Sequence, residues 1–223
     1  MNSMTDCGSE FEEDPFNDPE NNELRLLRKF VINEEHLTNI SKIVDCPFDT
    51  IYQGKMKIPG TREEGLPVAV KEPRNERDSR SQKYAIDELK NMNKIGKHPN
   101  ILGLVGFVNT KTKLKIVTEF VDEGDLGKYL RKNKSKFEKQ RTPLLSFAYQ
   151  IADGMKKLAS NHFVHRELTL HNVLVSKDET IRINNLQLAR KIDKNTNSLG
   201  GAVVSKHAID PPLKSVLHFF EKS

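Results

Sequence analysis

The chain has 223 residues, 30% of them charged, and a mean hydropathy of −0.62. That length can bury a core in one domain or in two small lobes, and no run of eighteen apolar residues is present to form a transmembrane helix. The two cysteines, Cys7 and Cys46, make no disulfide framework and fit a reducing cytosol, and the N-terminus lacks the basic-then-apolar order of a secretory signal.

Residues 1–23 hold eight acids and no Lys or Arg, so the net charge of +5 sets an acidic tail against a body of +13. The basic residues are scattered and not interleaved with aromatics, which argues against a nucleic-acid partner and for a solvated lysine-rich surface. Residues 1–28 are polar and poor in aliphatics before Leu24, the composition of a disordered tail. From Phe30, the apolar positions Val31, Ile32, Leu37, Ile40, Ile43 and Val44 predict short strands separated by turns. Ile51-Tyr52 and Val68-Ala69-Val70 predict two more, with a Pro- and Gly-containing turn from Pro59-Gly60 to Pro67 between them. Tyr84, Ala85, Leu89, Met92 and Ile95 keep helical spacing, and Gly96 with Pro99 closes that segment. Residues 101–108 and 114–121 read as a hairpin. The second part is helical: Leu145, Ala148, Ile151, Ala152, Met155, Leu158 and Ala159 form one apolar stripe. Phe163-Val164 and Val173-Leu174-Val175 are short strands around the most informative segment of the chain.

That segment is His165-Arg166-Glu167-Leu168, then three residues, then Asn172. The catalytic loop of protein kinases has this order with Asp in the third place. Phosphoryl transfer by kinases needs a strand lysine on the nucleotide phosphates and a helix glutamate to hold it. It also needs a carboxylate at the substrate hydroxyl, and an Asn and an Asp on the metal ions. Lys71, Glu88, the loop at 165–172 and the segment at 181–190 occur in that order. A lone Val-Ala-Val-Lys is weak; the ordered set is specific.

On these residues, with His98-Pro99-Asn100-Ile101, Ile116-Val117-Thr118-Glu119-Phe120 and Leu188-Ala189-Arg190, the segment from about 30 to 215 resembles the catalytic domain of protein tyrosine kinases, especially the receptor type. The resemblance implies an α+β fold of two lobes. An antiparallel sheet with one helix would form the N-lobe over 29–121, and 122–223 an incomplete helical C-lobe with a degenerate activation segment. It implies ATP between the lobes, with Ala69 and Leu174 sandwiching the adenine, Ile43 and Ile51 lining it, Thr118 as gatekeeper and Glu119 opening the hinge. Lys71 and Glu88 would serve the phosphates. Met92, Leu104, His165 and Leu186 would form the regulatory stack.

The departures carry the functional expectation. Aligning on Ile51-Tyr52 puts Val44, Cys46 and Asp49 where the family has the glycines that let the backbone approach phosphates; Pro47 removes a donor, and Asp49 turns a negative charge towards an anionic ligand. Asn185-Leu186-Gln187 replaces the metal-binding Asp-Phe-Gly, offering a neutral carbonyl where a hard cation prefers a carboxylate, while Asn172 is retained. Glu167 keeps the catalytic carboxylate on a longer arm, and a displacement of roughly 1 Å can lower a rate about a hundredfold. His171 replaces a basic residue typical of tyrosine kinases. From Asn185 to Ser223 there is no tyrosine to serve as a phosphorylation switch, and Ile209-Asp210-Pro211 is a poor remnant of the Ala-Pro-Glu anchor.

The expectation is a pseudokinase that acts through a protein partner, a related kinase or signalling protein, with weak ATP binding and Mg²⁺ poorly held. The alternatives are a weakly active tyrosine kinase using Glu167, Asn172 and Asn185, and a product lacking a stable domain. A shortened C-lobe would leave the apolar stripe of 144–159 without its usual cover, predicting low stability, oligomerisation or partner dependence. A zinc site at His162, His165 and His171 is disfavoured because no Cys or carboxylate set accompanies them, and Cys46 reads as an incidental thiol. The expected location is the cytoplasm, with peripheral association at the inner face of the plasma membrane left open.

Overall fold

The computed structural model describes residues 22–61, 64–74, 79–110, 114–192, 198–199 and 202–203. Five strands, β1 (Leu37–Asp45), β2 (Asp49–Met56), β3 (Leu66–Pro73), β4 (Leu104–Asn109) and β5 (Leu114–Glu119), make an antiparallel sheet in the order β1-β2-β3-β5-β4. The short strands expected from Val31 to Val44 are instead two single turns, Arg28–Phe30 and Glu34–His36, followed by one continuous strand. The expected first hairpin strand begins at Leu104, because Ile101 bridges to Ile183 across the molecule and Leu102 N–H donates to the Ile183 carbonyl.

Helix α1 (Asn22–Leu27) precedes the sheet, and α2 (Ser79–Ile95) crosses it. Ala85, Glu88, Leu89, Met92 and Ile95 of α2 face inward at helical spacing, and Gly96, at φ +72°, ends the helix as glycine allows. Leu24 and Leu27 of α1 are buried in the same core and Lys94 pairs with Glu23 at 2.7 Å, so residues 22–28 of the segment expected as a tail are packed structure, and the rest of that segment lies outside the described residues. The spacing Leu24–Leu27 was the available sign.

The second lobe holds α3 (Leu126–Lys132), α4 (Lys134–Lys139) and α5 (Thr142–Ser160), then paired short strands β6 (Phe163–Val164) with β9 (Arg190–Lys191) and β7 (Val173–Val175) with β8 (Ile181–Ile183). Further along, β10 (Ser198–Leu199) pairs with β11 (Ala202–Val203). Asp125 caps α3 by accepting from the Lys128 N–H at 2.9 Å, and a proline in the first turn starts α5. The buried face of α5 is Leu144, Phe147, Ile151, Gly154 and Leu158. The expected stripe is therefore split: Leu145, Ala152 and Ala159 face outward, and Leu145 and Tyr149 are 71% and 73% exposed. Gly154 is required where it stands, since a Cβ there would lie 2.7 Å from the Asn100 carbonyl. The expected anchor remnant at Ile209-Asp210-Pro211 lies outside the described residues. Among the described residues, no helix is long and apolar enough to cross a membrane.

Two cores result. One joins α1, α2, β4 and β5 to Leu158, Phe163, Leu186 and Ala189, tying the lobes together; the other packs α3, α4 and α5 on β7 and β8. Of the expected regulatory stack, Met92 and Leu186 are buried in the first core with Leu104 against it.

Candidate functional site

Lys71 leaves β3 directly opposite Ile51 of β2. Its ammonium reaches Glu88 of α2 at 2.6 Å and Asp49 at 3.3 Å, and donates to the Gln187 side-chain oxygen at 3.3 Å. Burial alone would lower the Lys71 pKa, but the two carboxylates outweigh it and hold the ammonium above its ordinary value. Asp49 is only 6% exposed; burial raises its carboxyl above the usual range, with Glu88 pushing the same way and Lys71 opposing. One ammonium shared between two carboxylates explains the asymmetry: the cation is doubly held, while the second anion is incompletely compensated.

The loop that delivers Asp49 is folded against the sheet and helix. Cys46 N–H donates to the Asp49 carbonyl at 2.7 Å, and Thr50 Oγ1 donates to Asp45 at 2.8 Å. Arg74 N–H donates to the Phe48 carbonyl, and the Phe48 ring meets Tyr84 of α2 edge-on at 5.7 Å.

The catalytic-type loop is held from beneath by His165, which is buried. Its Nε2 donates to the Asn184 carbonyl at 2.9 Å and its Nδ1 accepts from Glu167 N–H at 3.3 Å; burial lowers its pKa, and this pattern needs the neutral ring. Arg166, at φ +70°, donates through Nε to the Leu188 carbonyl. Asn185 sits in the left-handed region at φ +65°, which asparagine tolerates. Its amide Nδ2 donates to Glu167 Oε2 at 2.7 Å and lies 3.3 Å from Asn172 Oδ1, while Asn172 Nδ2 donates to the Glu167 carbonyl at 2.7 Å. The expected metal residues Asn172 and Asn185 and the expected base Glu167 are thus brought together in a closed hydrogen-bond ring. The Asn185 donor thus takes up one of the two lone pairs of Glu167 Oε2.

Of the expected adenine and hinge residues, Ala69, Thr118 and Glu119 lie on the paired strands β3 and β5. Ala69 lies opposite Thr118, and Thr118 lies opposite Leu104. The Glu119 carboxylate accepts from the Gly103 N–H at 2.7 Å and from Arg182 Nε at 3.2 Å, so it is tied to the flanking chain. Ile43 falls at a register shift in β1 and is 49% exposed, and Leu174 of β7 is half-buried beside the Asp125–Leu174 bridge.

Three contacts here were not read from the sequence: Lys71 with Asp49, Lys71 with Gln187, and Asn91. The last is buried on α2 and donates to the carbonyls of Leu186 and Ala189 at 2.8 and 2.9 Å, fixing the turn after Asn185 to the helix. Asn91→Leu is expected to remove both hydrogen bonds at about 0.5–1.5 kcal/mol each, while the Leu186 carbonyl keeps the Ala189 N–H and the Ala189 carbonyl keeps Arg190 Nη1. Urea unfolding checks this, and a loss below about 0.5 kcal/mol, the scale of an indifferent surface change, would contradict it.

A two-lobed fold with a strand lysine on a helix glutamate and an Asn-containing loop beneath them defines a protein kinase domain. The sequence profile of the protein tyrosine and serine/threonine kinase family matches residues 37–208, and the chain belongs to that family. It is 39% identical over 208 residues to the tyrosine-protein kinase receptor old-1 of Caenorhabditis elegans, covering 85% of this chain and 41% of the relative. It is 36% identical over 166 residues to the receptor-like tyrosine-protein kinase kin-15 of the same organism, covering 56% of this chain and 34% of the relative. To the ephrin type-B receptor 1 of Gallus gallus it is 30% identical over 198 residues, covering 85% of this chain and 19% of the relative. The chain therefore spans well under two thirds of the length of these relatives.

Proposed function

We propose that this chain is a tyrosine-kinase-like pseudokinase that acts as a signalling scaffold or allosteric partner, with impaired binding of ATP and Mg²⁺ and little or no phosphotransfer. The observation that carries the reading is the Asn185 amide, whose N–H₂ group stands between Glu167 Oε2 and Asn172 Oδ1. A divalent cation needs oxygen lone pairs there, and carboxylate charge above all. The residues present do not fit Mg²⁺: Asn172 Oδ1, at one expected metal position, faces the Asn185 amide donor, and the family's metal-binding carboxylate is replaced at Asn185 by a neutral amide. The role then rests on surfaces. The exposed Leu145 and Tyr149 on α5 support a protein partner, a related kinase or signalling protein, or a second copy of the chain. Work in the cytoplasm, including at the inner face of a membrane, is the setting this reading implies.

A weakly active ATP-dependent tyrosine kinase is the second reading, favoured by the intact Lys71–Glu88 pair and the retained carboxylate of Glu167. Transfer of labelled γ-phosphate to a tyrosine-containing polymer, with Mg²⁺ or Mn²⁺ present, separates the two. No incorporation above the level of Glu167→Gln is expected. Incorporation that disappears in Glu167→Gln would overturn the pseudokinase reading.

A further inference from the structure

Asp49 faces the one cationic side chain that a kinase uses to hold nucleotide phosphates. It stands at a position where the family has glycine, a residue with no side chain to compete. Here the carboxylate is buried, lies 3.3 Å from Lys71 Nζ, and is held there by the hydrogen-bonded turn before it and by Phe48 against Tyr84. We propose that Asp49 is a built-in anion occupying the phosphate position on Lys71, so that the cleft rejects phosphate-bearing ligands and is selective for uncharged ring ligands.

The charge balance supports this. Lys71 and Glu88 alone would form a neutral pair able to orient towards a phosphate. With Asp49 the cluster holds two carboxylates on one ammonium, a surplus negative charge in a buried setting. Lys71 spends its remaining donor capacity on Gln187. An incoming phosphate must displace Asp49 or lie beside it, and like charges a few ångströms apart in a poorly solvated site repel strongly. The uncharged part of a ligand feels no such penalty, because it carries no charge for Asp49 to repel.

The inference refines the impaired nucleotide binding in the proposed function but fails separately from it. The test measures ATP and adenosine affinities in chelator, without metal, for the wild-type chain, Asp49→Gly and Asp49→Asn. The wild type should bind ATP no more tightly than adenosine. Each variant should gain at least about tenfold for ATP, the scale of removing one close charge, while adenosine stays within about threefold. Asp49→Asn preserves size, and carries the test should the glycine variant not fold. ATP affinity unchanged in a folded variant, ATP and adenosine changing together, or a wild type that already prefers ATP tenfold would each overturn the inference. Phosphotransfer by the wild type with an ATP gain in the variants would instead remove the pseudokinase reading and leave this one standing.

Discussion

Replacing Lys71 with methionine is expected to destabilise the chain by about 3–5 kcal/mol, the usual consequence of removing one member of a buried ion pair. For a protein of this size that lowers the melting temperature by about 6–20 °C. The reason is local: without the ammonium, Asp49 and Glu88, 6% and 3% exposed, face one another with no cation between them. The sign of the pH dependence follows. A buried carboxyl whose folded-state pKa is raised, as that of Asp49 already is, destabilises above the ordinary carboxylate range and is relieved as pH falls through the raised value. The deficit of Lys71→Met should therefore shrink on acidification. Adding Asp49→Asn and Glu88→Gln to Lys71→Met should recover much of the loss, since no buried charge remains. Urea unfolding measures all of this, and a Lys71→Met variant within about 1 kcal/mol of wild type would mean the cluster is far more solvated than its burial implies. In practice, a lysine substitution is a poor inactive control for this chain, because it removes fold and site together.

Phe147→Ala should cost as much, about 3–5 kcal/mol, as large-to-small changes in aromatic core positions do. Phe147 is 1% exposed, and its ring centroid lies 6.2 Å from that of Tyr129 and 6.0 Å from that of Phe137, both edge-on. This trio joins α3, α4 and α5, and Leu126, Ile151 and Ile181 pack around it. The result bears on whether the second lobe has its own core or waits for a cover on the outer face of α5. A loss of that size in the purified chain, read by urea unfolding, means the lobe is held from within. A loss below about 1.5 kcal/mol, typical of a tolerated swap, would mean that it is loosely packed without a partner.

The sequence made some of this legible and concealed the rest, for physical reasons. Hydrophobic periodicity exposed α2 because Ala85, Leu89, Met92 and Ile95 all face one core. It mistook the phase of α5 because that helix has apolar residues on both sides, Leu144 and Phe147 inward, Leu145 and Tyr149 outward. Val-Ala-Val-Lys and His-Arg-Glu-Leu marked β3 and the catalytic-type loop because their chemistry demands local order. Glu167 was expected as a base and Asn172 and Asn185 as metal positions; their bonding to one another through an amide donor was not expected, since residue type does not say which atom of asparagine faces inward. Asp49 was recognised as a charge misplaced for a phosphate loop. That it bonds Lys71 depends on how the turn after β1 folds onto β3 and α2, and no window of sequence contains that. Gln187 lies 116 residues from Lys71 and Asn91 lies 95 from Leu186, separations at which only the tertiary fold brings partners together.

The central claim is that this kinase cleft does not take up a magnesium nucleotide. The most direct test is the melting temperature of the wild-type chain with ATP absent or present, each with and without Mg²⁺. A ligand that binds only the native state at a hundred times its dissociation constant adds about 2.7 kcal/mol, or about 5–11 °C here. The account predicts one cooperative transition that ATP does not raise, whether or not Mg²⁺ is present. A transition raised by that amount with ATP and Mg²⁺ together, and by neither alone, would contradict it.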